Sequence, residues 1–156
     1  MAIMSPLYPR GPFNLTDRLQ PLAEGGEVAE LPGWRAVHTP GHTRGHVSLF
    51  RDSDRTLLVG DAFCTVKSES MLAIATQRAE LHGPPAYYTP DWDSAHASVE
   101  KLAQLRPAIL APGHGLPMSG ADLPQLVEHL ASHFDQIARP RHGKYADRDK
   151  EHNPAA

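Results

Sequence analysis

One cysteine, Cys64, stands in the whole 156-residue chain. An internal disulfide is therefore impossible, and zinc sites built from several thiolates are excluded. The redox compartment stays open, with the cytoplasm as the simplest expectation. No run approaches the ~20 apolar residues that a bilayer-crossing helix needs, so no membrane is expected as a partner. The start, MAIMSPLYPRG, has no apolar stretch of signal-peptide length before its prolines. A basic surplus is missing as well: 15 Lys and Arg stand against 18 Asp and Glu, a formal charge of -3. Nucleic acid is not an expected partner, since phosphate contact needs a basic surface. No internal repeat is present.

Histidine is what the chain has in excess, at 10 residues, together with 15 prolines. Neutral imidazole is the commonest metal ligand. The length fits one domain, whose folding buries roughly 68–70% of the unfolded surface. Residues 1–33 carry five prolines and four glycines, too many breakers for a helical or strand period. They are expected to form an irregular covering lead, in which Leu15, Leu19 and Leu22 are spaced to pin a turn. Residues 34–138 hold the periodic segments. Residues 139–156 form a polar tail without period.

Strands are expected over residues 34–38, 47–50 and 56–59, the last two joined by the polar turn Arg51-Asp52-Ser53-Asp54-Arg55. Met71, Leu72, Ile74 and Ala75 suggest one to three helical turns. A helix is expected from Thr89-Pro90-Asp91 to about Leu105, with Thr89 as cap and Pro90 at the first position. Trp92, Ala95, Val99, Leu102 and Ala103 form its apolar stripe. Residues 108–111 read as a fourth strand. A last helix runs from Asp122, with Gln125 completing a capping box, through Leu130 and Phe134 to Ile137. This order predicts an α/β fold with a mixed sheet and helices on one face. The other sheet face has no helix to cover it.

The stretch VHTPGHTRGH at residues 37–46 organises the rest. Pro40 and Gly41 stiffen and shape a turn that can hold the His42 imidazole still. Asp61 follows Gly60 directly after a strand, and His114 lies between Gly113 and Gly115 after another. Each side chain alone reads as an ordinary turn residue. Together, three metal-competent groups at three strand ends suit zinc or a similar ion.

His38-Thr39-Pro40-Gly41-His42-Thr43, Gly60-Asp61-Ala62-Phe63 and Gly113-His114-Gly115 strongly resemble the metallo-beta-lactamase superfamily, in its glyoxalase-II-like hydrolase branches. Thr89-Pro90-Asp91-Trp92 and Leu105-Arg106-Pro107 add to the likeness, which covers about residues 31–138. The resemblance implies half of an αββα sandwich, with His42 on the first metal, Asp61 bridging both ions and His114 on the second. It implies zinc, or iron or manganese, and metal-assisted hydrolysis of a small-molecule ester, thioester or amide. The His-x-His-x-Asp-His motif that supplies the family's other ligands is absent from these 156 residues. Residue 1 falls after the point where that motif stands in the family, so a truncated domain is expected. One ion held by His42, Asp61 and His114 together is a geometric alternative to the two-metal plan.

The uncovered sheet face then implies a homodimer, sheet against sheet. A non-catalytic remnant, or a binding module using the open face, is the alternative reading. Among other residues, His46 reads as a structural hydrogen bonder and His38 as an edge or core histidine. His96 reads as a surface residue, and His129 and His133 as flanks of an apolar stripe. Cys64 reads as a small buried hydrophobe. Tyr87, Tyr88 and Trp92 are expected to pack rather than line a pocket, and Lys67 to be solvated.

Overall fold

A computed structural model describes residues 17, 20–66 and 80–140. The expected helical turns at Met71–Ala75, the solvated Lys67, the Leu15 and Leu19 anchors and the tail beyond residue 140 lie outside the described residues. One six-stranded sheet runs in the order β1 to β6. Its strands are β1 (Glu27–Val28), β2 (Leu31–His38), β3 (Val47–Arg51), β4 (Thr56–Gly60), β5 (Ile109–Pro112) and β6 (Met118–Ser119). All neighbours are antiparallel except β4 and β5, which are parallel. The helices are α1 (Trp92–Gln104), α2 (Leu123–Ser132) and α3 (Phe134–Ile137). The mixed sheet with helices on one face agrees with the α/β expectation.

The core lies between that face and the helices. Phe50, Leu57, Val59 and Leu110 meet Trp92, Val99 and Leu102 from α1 and Leu123, Val127 and Leu130 from α2. Strand alternation sends the other side chains to the opposite face. The register aligns Trp34 with Arg51, Ala36 with Leu49 and Leu49 with Leu58 there. Leu58 is 36% exposed and Ile109 39%.

Several local expectations need correction. The lead contributes β1 and the first residues of β2, in spite of Pro32 and Gly33. Those residues lie outside the ladder with β3, which begins at Trp34, so Pro32 costs no β2–β3 bond. Leu22 is 48% exposed rather than buried as an anchor. Asp91, not Thr89, caps α1: its carboxylate accepts the Ser94 amide at 2.9 Å and the Ser94 hydroxyl at 2.7 Å. The expected Asp122 box does not form, because Asp122 has helical backbone angles and no side-chain cap bond. The last helix breaks at His133. There the Ser132 hydroxyl donates to the Glu128 carbonyl and the His133 ring and amide both donate to the His129 carbonyl. The apolar spacing carries on across this break through Phe134, which hides it in the sequence.

Helix α1 clamps the 38–42 turn. Lys101 Nζ donates to the His38 carbonyl at 3.0 Å, and Ser98 Oγ to the Pro40 carbonyl at 2.7 Å. One turn earlier Ala95 packs directly on Gly41, where an added Cβ would come within 2.5 Å of the Ala95 backbone. Gly41 also has φ +133°, a conformation that side chains with a Cβ rarely adopt. Gly41→Ala is expected to destabilise the chain by at least about 2 kcal/mol, read as a lower urea midpoint at unchanged slope.

Candidate metal centre

The site is built at one end of the sheet. Because β4 and β5 are parallel neighbours, the residues that follow them emerge side by side. The Gly113 amide donates to the Gly60 carbonyl at 2.8 Å, joining the two tips. Asp61 follows β4 and His114 follows β5. The turn after β2 brings His42 in from the third side. Glycine at 113 leaves room for the Asp61 carboxylate, which a Cβ there would displace.

His42 Nε2 lies 3.6 Å from Asp61 Oδ2, and His114 Nε2 lies 3.6 Å from Asp61 Oδ1. Both gaps exceed a hydrogen bond. They are close to the roughly 3.4 Å that separates two ligands each about 2.1 Å from one tetrahedral ion. The two histidines face different oxygens of one carboxylate, so the contacts form two pairs rather than one triad. Accordingly, among the described residues no group of three or more His, Cys, Asp or Glu side chains is spaced to hold a single ion. The alternative of one ion held by all three does not fit this arrangement. Side-chain exposure rises from 13% at His42 to 31% at Asp61 and 54% at His114, so the cleft opens toward His114.

The Asp61 backbone is held by His46. Its amide donates to His46 Nε2 at 2.9 Å. With Nε2 accepting, neutral His46 carries its proton on Nδ1, which faces the Thr39 carbonyl at 3.1 Å and hydroxyl at 2.8 Å. Ser48 Oγ donates to the Val59 carbonyl at 3.0 Å, so the Thr39 hydroxyl donates to Ser48 across 3.0 Å. These bonds run from the Asp61 amide back to the Val59 carbonyl, tying the ends of β2, β3 and β4. Gly60, at φ +61°, leaves room for the ring: a Cβ there would sit 2.6 Å from His46 Nε2. Burial lowers the His46 pKa from its ordinary 6.5, outweighing the Thr39 carbonyl and Asp61, which raise it.

The remaining residues separate clearly. His46 is the structural hydrogen bonder expected. His38 donates from Nε2 to the Arg44 carbonyl at 2.8 Å. His96 is half-buried rather than simply solvated: it stacks on Phe134 at 4.8 Å and reaches the Ala131 carbonyl at 2.9 Å, bridging α1 and α2. His129 and His133 lie ring on ring at 4.3 Å, on the outer side of α2. Cys64 and Trp92 are fully buried, as expected. Tyr87 and Tyr88 do not pack, being 71% and 72% exposed on a 3-10 turn. Thr89 is the residue that sequence reasoning misplaced. Freed from capping, its hydroxyl lies 3.2 Å from His42 Nδ1.

The profile of the metallo-beta-lactamase superfamily matches residues 2–114, and the chain belongs to that superfamily. It is 48% identical over 136 residues to the probable metallo-hydrolase YflN of Bacillus subtilis (strain 168), covering 85% of this chain and 52% of YflN. It is 34% identical over 97 residues to the probable metallo-hydrolase YybB of the same organism, covering 62% of this chain and 38% of YybB. The chain therefore spans about half, or less, of the length of these curated relatives. A beta-lactamase domain protein from Burkholderia ambifaria shares the fold at 23% identity and a TM-score of 0.50, over 75% of this chain and 32% of that one.

His46→Ala leaves the Asp61 amide without its acceptor and is expected to cost about 1–3 kcal/mol at neutral pH. The lowered pKa means that the contribution of His46 is fully present above 6.5 and is lost as pH falls through the folded value. Denaturant titrations should show the gap between wild type and variant narrowing below pH 6.5.

Proposed function

We propose that this chain is a metal-dependent hydrolase-superfamily protein in which Asp61 bridges two ions, one shared with His42 and the other with His114. The observation that supports this most is the pair of 3.6 Å gaps on opposite oxygens of one carboxylate. Zinc, or iron or manganese in its place, would supply Lewis acidity and an activated water for attack on an ester, thioester or amide. The chain's own residues give that chemistry its orientation. His46 holds the Asp61 amide, and Gly113 ties the tip of β5 to Gly60 beside it. His42 presents Nε2 from the sheltered side, and His114 reaches in from the open side, where a small-molecule substrate enters. The glyoxalase-II-like branch is the part of the superfamily whose motifs these turns match.

The described residues would provide two donors to each ion, whereas catalytic zinc sites carry three protein ligands. The remaining donors must come from other residues. We take a second copy as the partner, docked on the sheet face that carries Leu49, Leu58 and Ile109. The same shortage of donors favours the other reading, a non-catalytic remnant or binding module held together by association.

Untagged protein is expected to hold at least one zinc, iron or manganese ion per chain by elemental analysis, and Asp61→Ala to release it and abolish thioesterase or esterase turnover. Metal-free wild type would favour the remnant; unchanged turnover in Asp61→Ala would remove this site. In sedimentation the chain is expected at twice its own mass, with Leu58→Glu shifting it to monomer. A well-folded wild-type monomer contradicts the dimer.

A further inference from the structure

Thr89 is fully buried at the end of the 3-10 turn Ala86–Tyr88, although its neighbours Tyr87 and Tyr88 are open to solvent. Its Oγ1 lies 2.8 Å from the Pro85 carbonyl and 3.2 Å from His42 Nδ1. A hydroxyl has one hydrogen, and a carbonyl oxygen can only accept. The hydrogen therefore goes to Pro85. The contact with His42 must then be an Nδ1–H bond donated to the Thr89 oxygen. In the neutral ring that leaves His42 Nε2 without a proton and with its lone pair free, on the nitrogen that lies 3.6 Å from Asp61.

We propose that Thr89 is a positioning residue: its hydroxyl, oriented by the Pro85 carbonyl, fixes His42 as the Nδ1–H tautomer and presents the bare Nε2 to the cleft. Partners on the far nitrogen of a ligating imidazole set its tautomer and ring orientation. The consequence for metal affinity rests on the two-ion reading above; the tautomer itself does not. Two independent anchors hold the geometry. Clamping by α1 sets the backbone of the His42 turn through Ser98 and Ala95. Thr89 sets the ring. A threonine that merely ended the 3-10 turn would need only its bond to Pro85.

The test uses the full chain and compares wild type with Thr89→Val, of nearly equal shape, and Thr89→Ser, which keeps the hydroxyl. Nitrogen-15 spectra of the metal-free protein, taken well above the ordinary imidazole pKa, report the His42 tautomer directly. Wild type and Thr89→Ser are expected to show Nδ1–H, and Thr89→Val a mixture with Nε2–H. Zinc titration against a competing chelator is expected to weaken by roughly 10- to 100-fold in Thr89→Val and to recover in Thr89→Ser. Thr89→Ala reads the same two quantities if the valine variant fails to fold. An unshifted tautomer in the hydroxyl-free variant overturns the proposal, as does a zinc affinity equal to that of wild type. Wild type binding zinc no better than Asp61→Ala overturns the two-ion reading instead, and the tautomer alone then decides the role of Thr89.

Discussion

The hydrogen bond from the Asp61 amide to the His46 ring fixes the carboxylate at the centre of the cleft. Asp61 sits one residue beyond the sheet, where ladder bonds no longer hold the backbone. The imidazole replaces the missing neighbour. Its second nitrogen returns through Thr39 and Ser48 to the Val59 carbonyl, so the carboxylate is tied to three strands at once. This network has one requirement, a neutral ring, and burial meets it by lowering the His46 pKa. Because the ring holds the Asp61 amide and not its carboxylate, each carboxylate oxygen can face a different histidine.

The His42 side of the cleft is held differently. Lys101, Ser98 and Ala95 are spaced three apart, so they lie along one line of α1, and each touches a successive part of the 38–42 turn. A helix is stiffer than a loop, so the turn inherits its rigidity. The same helix buries Trp92, Val99 and Leu102 against the sheet. Core packing and site geometry thus share one element, and a change in either is felt by the other.

Among the described residues the helices lie on one face of the sheet, the chain spans about half of YflN, and one carboxylate is flanked by two histidines. The chain belongs to the metallo-beta-lactamase superfamily, whose motifs the turns at Asp61 and His114 resemble. Because β4 and β5 are parallel neighbours, Asp61 and His114 emerge side by side at one end of the sheet.

Much of this was legible in the chain itself. Gly60-Asp61, Pro40-Gly41-His42 and Gly113-His114-Gly115 announce strand-end turns because their backbone demands are local. The sheet and helix order follows from spacing alone, for the same reason. Other features were not legible. Whether Thr89 caps a helix or holds His42 depends on a contact 47 residues away along the chain. The choice of Asp91 as cap, the break at His133 and the short strands β1 and β6 likewise turn on which neighbour reaches a backbone group first. Local sequence decided which residues could stand at the site. Tertiary structure decided how they pair, because hydrogen bonds between distant segments select one orientation from several that the local chain permits equally.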